Sequence, residues 1–134
     1  MDRIKFVYFV QELFHFTQKL KDLRLTNTGL TALPELHLTG LLNLELGSNN
    51  LADLDCGALE SLTELRSLNL ELNKLTNLPS HCWRLVPRLI SLDISNNPVR
   101  VLTKESFQGM RERENKLYKL LDFYKFFKKQ INSV

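Results

Sequence analysis

The sequence predicts an α/β-type solenoid, a short coil of four repeats whose strands line up side by side as one parallel sheet. Three observations predict it. One apolar motif, L-x-x-L-x-L-x-x-N-x-L-x-x-L, occurs four times in succession. The copies begin at Leu20, Leu41, Leu65 and Leu89, so the period is 21, 24 and 24 residues, inside the range of about 20 to 29 expected of strand-containing solenoid repeats. Within each copy an L-x-L alternation gives way to an Asn, the signature of a short strand followed by a turn.

The first repeat uses Leu20, Leu23, Leu25, Leu30 and Leu33, and the second uses Leu41, Leu44, Leu46, Leu51 and Leu54. The third uses Leu65, Leu68, Leu70, Leu75 and Leu78, and the fourth Leu89, Leu92, Ile94, Val99 and Leu102. An amphipathic helix would keep apolar positions three and four apart throughout, and the alternating core of this motif excludes that. A second column supports the phase: Leu38, Leu59, Trp83 and Phe107 each fall five residues after the last motif leucine, where a large side chain can plug the outer part of its coil. Extended backwards, the phase places Phe6, Phe9 and Phe14 in the columns of Leu75, Leu78 and Trp83, with Ile4 at the Asn position. Residues 1–19 thus read as a degenerate repeat remnant.

Composition bounds the function classes. The chain has 134 residues, 43% hydrophobic and 25% charged, enough for one domain with a real core and unlike either a disordered or a membrane-embedded chain. The net charge of +3 is unevenly spread, because the 111–134 tail carries seven Lys or Arg against three acids. The aromatic start is interrupted by Lys5, Gln11, Glu12 and His15 and lacks a small-residue cleavage site, so it reads poorly as a signal peptide.

On the repeat itself, residues 20–110 resemble the leucine-rich-repeat family. The mostly 24-residue period, Leu30-Thr-Ala-Leu-Pro34 and Leu92-Asp-Ile-Ser-Asn-Asn-Pro98 are similar to the typical subclass of animal cell-surface proteins, in particular to chaoptin-like or Toll-like insect ectodomains. The resemblance implies a right-handed coil, curved, with its parallel sheet lining the concave side. It implies protein binding as the function.

Physical roles follow from position. Asn49, Asn73 and Asn97 stand where the backbone leaves the strand, and an amide there can donate to and accept from loop groups otherwise buried unpaired, so a structural asparagine ladder is expected. Thr28 occupies that place in the first repeat, with Asn27 one residue early; a hydroxyl makes fewer bonds, so this end is weaker. Alternate strand residues point outward and form three rows: Asp22, Asn43, Ser67 and Ser91; then Arg24, Glu45, Asn69 and Asp93; then Thr26, Gly47, Glu71 and Ser95. With four acids and one base this face carries a charge of −3. The candidate partner-binding residues are Asp22, Arg24, Asn43, Glu45, Asn69, Glu71 and Asp93, and the expected partner is a protein with a basic or polar patch.

Chemistry beyond binding finds no support in the pattern. There is no nucleophile beside a base, no phosphate-cradling glycine loop, and no ligand spacing for a metal, so neither catalysis, cofactor, metal nor small-molecule substrate is expected. His15, His37 and His81 read as surface or loop histidines, and Trp83 as core. Cys56 and Cys82 lie in adjacent repeats but two positions out of phase; free thiols are expected, with a disulfide as the alternative.

After Phe107 the register stops. Leu117, Leu120, Leu121, Tyr124, Phe127 and Ile131 follow helical spacing, so 111–134 is expected to be a basic amphipathic C-terminal helix that caps the last coil. That tail also offers an alternative function, contact with a membrane surface or nucleic acid, weakened by the interspersed Glu112, Glu114 and Asp122. Cysteine-rich caps are missing and none of the eleven asparagines lies in an N-x-S/T sequon. The chain therefore reads as a fragment, isoform or degenerate copy of a longer cell-surface adhesion or receptor protein, ahead of a cytosolic scaffold or regulatory subunit.

Overall fold

The structure, a computed structural model, describes residues 19–78, 80–102, 104–107 and 109. Each L-x-L core carries a three-residue strand centred on its first leucine: β1 (Asp22–Arg24), β2 (Asn43–Glu45), β3 (Ser67–Asn69) and β4 (Ser91–Asp93). They form one parallel sheet in chain order, β1-β2-β3-β4. Register is set by the central leucines, with Leu23 opposite Leu44, Leu44 opposite Leu68 and Leu68 opposite Leu92. A slip of one residue would turn every one of these side chains out of the core, so the shared leucine column leaves a single pairing.

The interior is a stack of leucine. Of the twenty motif positions all are buried except Leu20 and Leu102, at the two ends of the array, which are partly buried. At roughly 1.5 to 3 kcal/mol for each large side chain removed from water, this column is the main stabilising force, and no single coil could supply it alone. The outer column fills as its spacing predicts: Leu38, Leu59 and Trp83 are fully buried and Phe107 packs partly buried against the core. Trp83 satisfies its indole by donating Nε1–H to the Ser106 carbonyl at 2.8 Å, which ties the third coil to the fourth.

Opposite conformations connect the strands. The two longer links, β2 to β3 and β3 to β4, each contain a 3-10 segment, over Cys56–Leu59 and Ser80–Leu85, and a third such segment, Lys104–Phe107, follows β4. Asp55 caps the first by accepting from Gly57 N–H at 2.9 Å. The shorter first link has no 3-10 segment; it buries Leu36 and Leu38 on either side of exposed His37, whose backbone turns left-handed (φ 50°). Three fewer residues leave no room for a helical turn there.

One expectation is corrected. Cys56 and Cys82 are not free thiols but a disulfide, with Cα atoms 4.8 Å apart. The two-position offset misled because the first 3-10 segment has four residues and the second six. Without a hydrogen-bonded ladder between them, these segments are not held to the strands' register. The 1–19 remnant, apart from Lys19, and the tail helix expected over 111–134 lie outside the described residues.

Candidate functional site

The sheet face is built on an amide scaffold at its edge. Asn73 is 4% exposed; its Oδ1 accepts from Leu51 N–H at 3.0 Å, and its Nδ2 donates to the carbonyls of Leu46 at 3.0 Å and Leu70 at 3.1 Å. Asn49 does the same one coil earlier, accepting from Thr28 and Leu30 N–H and donating to Leu25 and Leu46. Asn97 accepts from Leu75 N–H and donates to Leu70 and Ile94. Each ladder amide thus bridges its own coil and the one before. In the first coil the Thr28 hydroxyl lies 2.9 Å from the Leu25 carbonyl and 3.1 Å from Asn49 Oδ1, and its single proton serves one of them at a time.

Immediately before each ladder position the backbone turns left-handed: Asn27 (φ 56°), Ser48 (φ 55°), Leu72 (φ 53°) and Asn96 (φ 56°). This turn lets Asn27, Ser48 and Leu72 N–H donate to the next coil's Gly47, Glu71 and Ser95 carbonyls at 3.1, 2.9 and 3.0 Å. Asn tolerates that region through its short polar side chain, whereas Leu gains no such compensation. Leu72 is nevertheless there, and it is 51% exposed.

The predicted rows occur in the structure's register. Asp22, Asn43, Ser67 and Ser91 align across the sheet, as do Arg24, Glu45, Asn69 and Asp93. Asn43 donates its amide to Asp22 across the strands. Arg24 Nε and Glu45 Oε2 form an ion pair at 2.6 Å, so the one base of the three rows neutralises one of their acids. Asn69 and Asp93 turn their side-chain oxygens back to the N–H groups of Glu71 and Ser95, at 2.8 and 2.9 Å, and Asp93 also accepts from the Ser95 hydroxyl at 2.6 Å.

Glu71 is different. Its carboxylate has no hydrogen-bond or ion-pair partner among the described residues, while its side chain lies over Gly47, where an added Cβ would come within 3.1 Å of Glu71 Cγ. Gly47 is buried beneath it and thereby leaves it room. The face therefore divides into an engaged half, Asp22 to Glu45, and a half that presents Glu71 beside exposed Leu72.

Two features of the molecule escaped sequence reasoning. Leu72 lies outside the three outward rows, although its column reads Asn27, Ser48, Leu72, Asn96, in which a lone leucine is conspicuous. On the helical side, His81 joins Cys56 and Cys82, with its ring nitrogen and both sulfurs within 4.8 Å of one another. Nothing in the spacing signals that group, because it depends on how two 3-10 segments stack.

Comparison with known proteins agrees with this architecture. The family described as "Leucine rich repeat" matches residues 39–99 and 64–112, together more than half of the chain. Chaoptin of Drosophila melanogaster is 37% identical over 93 residues, 69% of this chain and 7% of chaoptin. The human leucine-rich repeats and immunoglobulin-like domains protein 1 is 36% identical over 72 residues, 53% of this chain and 6% of that protein. The probable serine/threonine-protein kinase pats1 of Dictyostelium discoideum is 38% identical over 86 residues, 58% of this chain and 3% of the kinase. The chain spans less than a tenth of the length of each of these relatives.

Proposed function

Since the chain belongs to the leucine-rich-repeat family, we propose that it is a protein-binding module whose sheet face, centred on Glu71, Asn69, Leu72 and Asp93, receives a protein with a basic patch next to an apolar one. The observation that carries this reading is the pairing of an unengaged carboxylate, Glu71, with an exposed apolar side chain, Leu72, on adjacent positions of a hydrogen-bonded coil. Both are held without the entropy cost of ordering a loop, which favours specific association. Covering Leu72 contributes apolar burial of roughly 1 to 2 kcal/mol, and the uncompensated acid steers a cationic partner and rejects an anionic one.

The Arg24–Glu45 pair moves the centre of the proposed site towards the third and fourth coils. Glu45, Arg24, Asp22 and Asn43 then serve as the rim, their charges and amides already satisfied by one another. Four strands about 4.8 Å apart make a strip narrower than a standard interface of about 800 Å² per partner, so the isolated chain binds in the micromolar range or more weakly.

The Cys56–Cys82 bridge favours an oxidising compartment, hence a cell-surface or secreted setting over a cytosolic scaffold. Partners selected from secreted and cell-surface proteins are the appropriate test set. Glu71→Lys reverses the local charge and leaves the Arg24–Glu45 pair in place; it should weaken binding by at least about tenfold, or 1.4 kcal/mol, with circular dichroism unchanged. Glu60→Lys, on the exposed helical side, should bind like the parent. Equal affinity of the Glu71→Lys variant and the parent would remove the site from this face.

A further inference from the structure

We propose that reduction of the Cys56–Cys82 bridge converts it, together with His81, into a binding site for one Zn2+ ion. The three donor atoms lie within 4.8 Å of one another; tetrahedral bonds of roughly 2.0 to 2.3 Å set donors roughly 3.3 to 3.8 Å apart, so opening the bridge and a shift of roughly 1 Å by the exposed His81 side chain bring all three onto one ion. Cys56 opens the first 3-10 segment, while His81 and Cys82 lie together in the second, and the bridge shows that these segments approach to a Cα separation of 4.8 Å. Two sulfurs and one imidazole are the donor set that Zn2+ takes when one of its four positions is left open. His81 is exposed and Cys82 buried, so the open position faces solvent.

The chemistry balances with a dithiol as reductant. The Cys56 Sγ–Cys82 Sγ bond breaks, the dithiol closes to its own cyclic disulfide, and its two protons and two electrons leave Cys56 and Cys82 as thiols. Binding of Zn2+ then displaces both thiol protons to solvent, and neutral His81 supplies the third ligand without a proton change. Two thiolates cancel the ion's two charges. The half-buried site therefore holds no net charge, which is what a sulfur enclosed by core leucines requires. Oxidised, the same pair of coils is joined covalently; reduced, the ion joins them instead.

Cobalt(II) serves as the probe, because thiolate coordination gives it a charge-transfer absorption that water or carboxylate ligands do not. The full chain, reduced with dithiothreitol and freed of it without air, should take up one equivalent of Co2+ with that absorption. Zn2+ should displace the cobalt and raise the thermal midpoint of the reduced protein. The oxidised chain should show neither effect. His81→Ala, a surface change that leaves the bridge able to form, should weaken cobalt binding at least about tenfold, while the exposed His37→Ala should not. Cobalt absorption equal in the reduced parent and its His81→Ala variant would overturn the assignment of His81. Absence of thiolate–cobalt absorption from the reduced parent, folded or unfolded, would overturn the site altogether. Partner binding through the sheet face is not involved in any of these measurements.

Discussion

Replacing Asn73 by Ala probes the ladder at its most enclosed point. Three carbonyls lose a donor, but each keeps another: Leu46 from Asn49, Leu70 from Asn97, and Glu71 from Ser48 N–H at 2.9 Å. Leu51 N–H has Asn73 Oδ1 as its acceptor, and the substitution strands it in the core. One buried donor left unpaired costs about 1 to 3 kcal/mol. With a urea dependence of about 1 to 3 kcal/mol per molar, the unfolding midpoint should fall by roughly 1 M. Asn49→Ala strands two donors, Thr28 N–H and Leu30 N–H, and should fall further. Asn97 is itself only half-buried, so water can reach the site vacated by Asn97→Ala and pair with Leu75 N–H, and this variant should cost less than Asn73→Ala. Exposed Asn77→Ala sets the baseline. Urea titration followed by circular dichroism orders the four variants. Midpoints that coincide for Asn73→Ala and Asn77→Ala would refute the assignment of the ladder as the polar support of the coil.

Further outcomes follow from the same geometry. The Cys56–Cys82 bridge closes a loop of sequence separation 26, for which loop-closure entropy gives about 3 to 4 kcal/mol; reduction in the presence of a metal chelator should lower the thermal midpoint, and an unchanged melting curve would show that the bridge constrains nothing. Leu72→Asn replaces a residue held at φ 53° by one that tolerates the left-handed region, so it should stabilise the fold by roughly 1 kcal/mol while weakening partner binding. A lower urea midpoint for Leu72→Asn would show that its exposed side chain contributes more by packing than its backbone costs. Gly47→Ala brings a methyl group within 3.1 Å of Glu71 Cγ and should displace that carboxylate, reducing binding with little effect on stability; undiminished affinity would separate Glu71's position from its role.

Sheet, core and rows were legible because each depends on short-range periodicity. Strand residues alternate sides with period two, and parallel stacking repeats the same register in every coil, so Leu23, Leu44, Leu68 and Leu92 on one side dictate Arg24, Glu45, Asn69 and Asp93 beside them. The Arg24–Glu45 pair joins neighbours of one row, but that Glu45 is engaged by Arg24 rather than open to a partner came from the structure. The outer plug of Leu38, Leu59 and Trp83 could be read for the same reason: its distance from the last motif leucine is constant.

What the sequence alone determined is therefore the repeat: its period, its apolar column, its polar face and the position of each ladder amide, all properties of one coil copied along the chain. Tertiary structure decided what depends on contacts between coils where no hydrogen-bonded register carries over. The 3-10 segments are four and six residues long and stack without such a register, so they bring Cys56 to Cys82 and His81 across a sequence offset that seemed to keep them apart. Likewise, Glu71 lacks a partner among the described residues and Leu72 is exposed because of which side chains surround them, and Leu72 is strained because the coil's closing turn imposes a left-handed residue on whatever side chain stands there. Periodicity propagates along a chain; the filling of space between its turns does not.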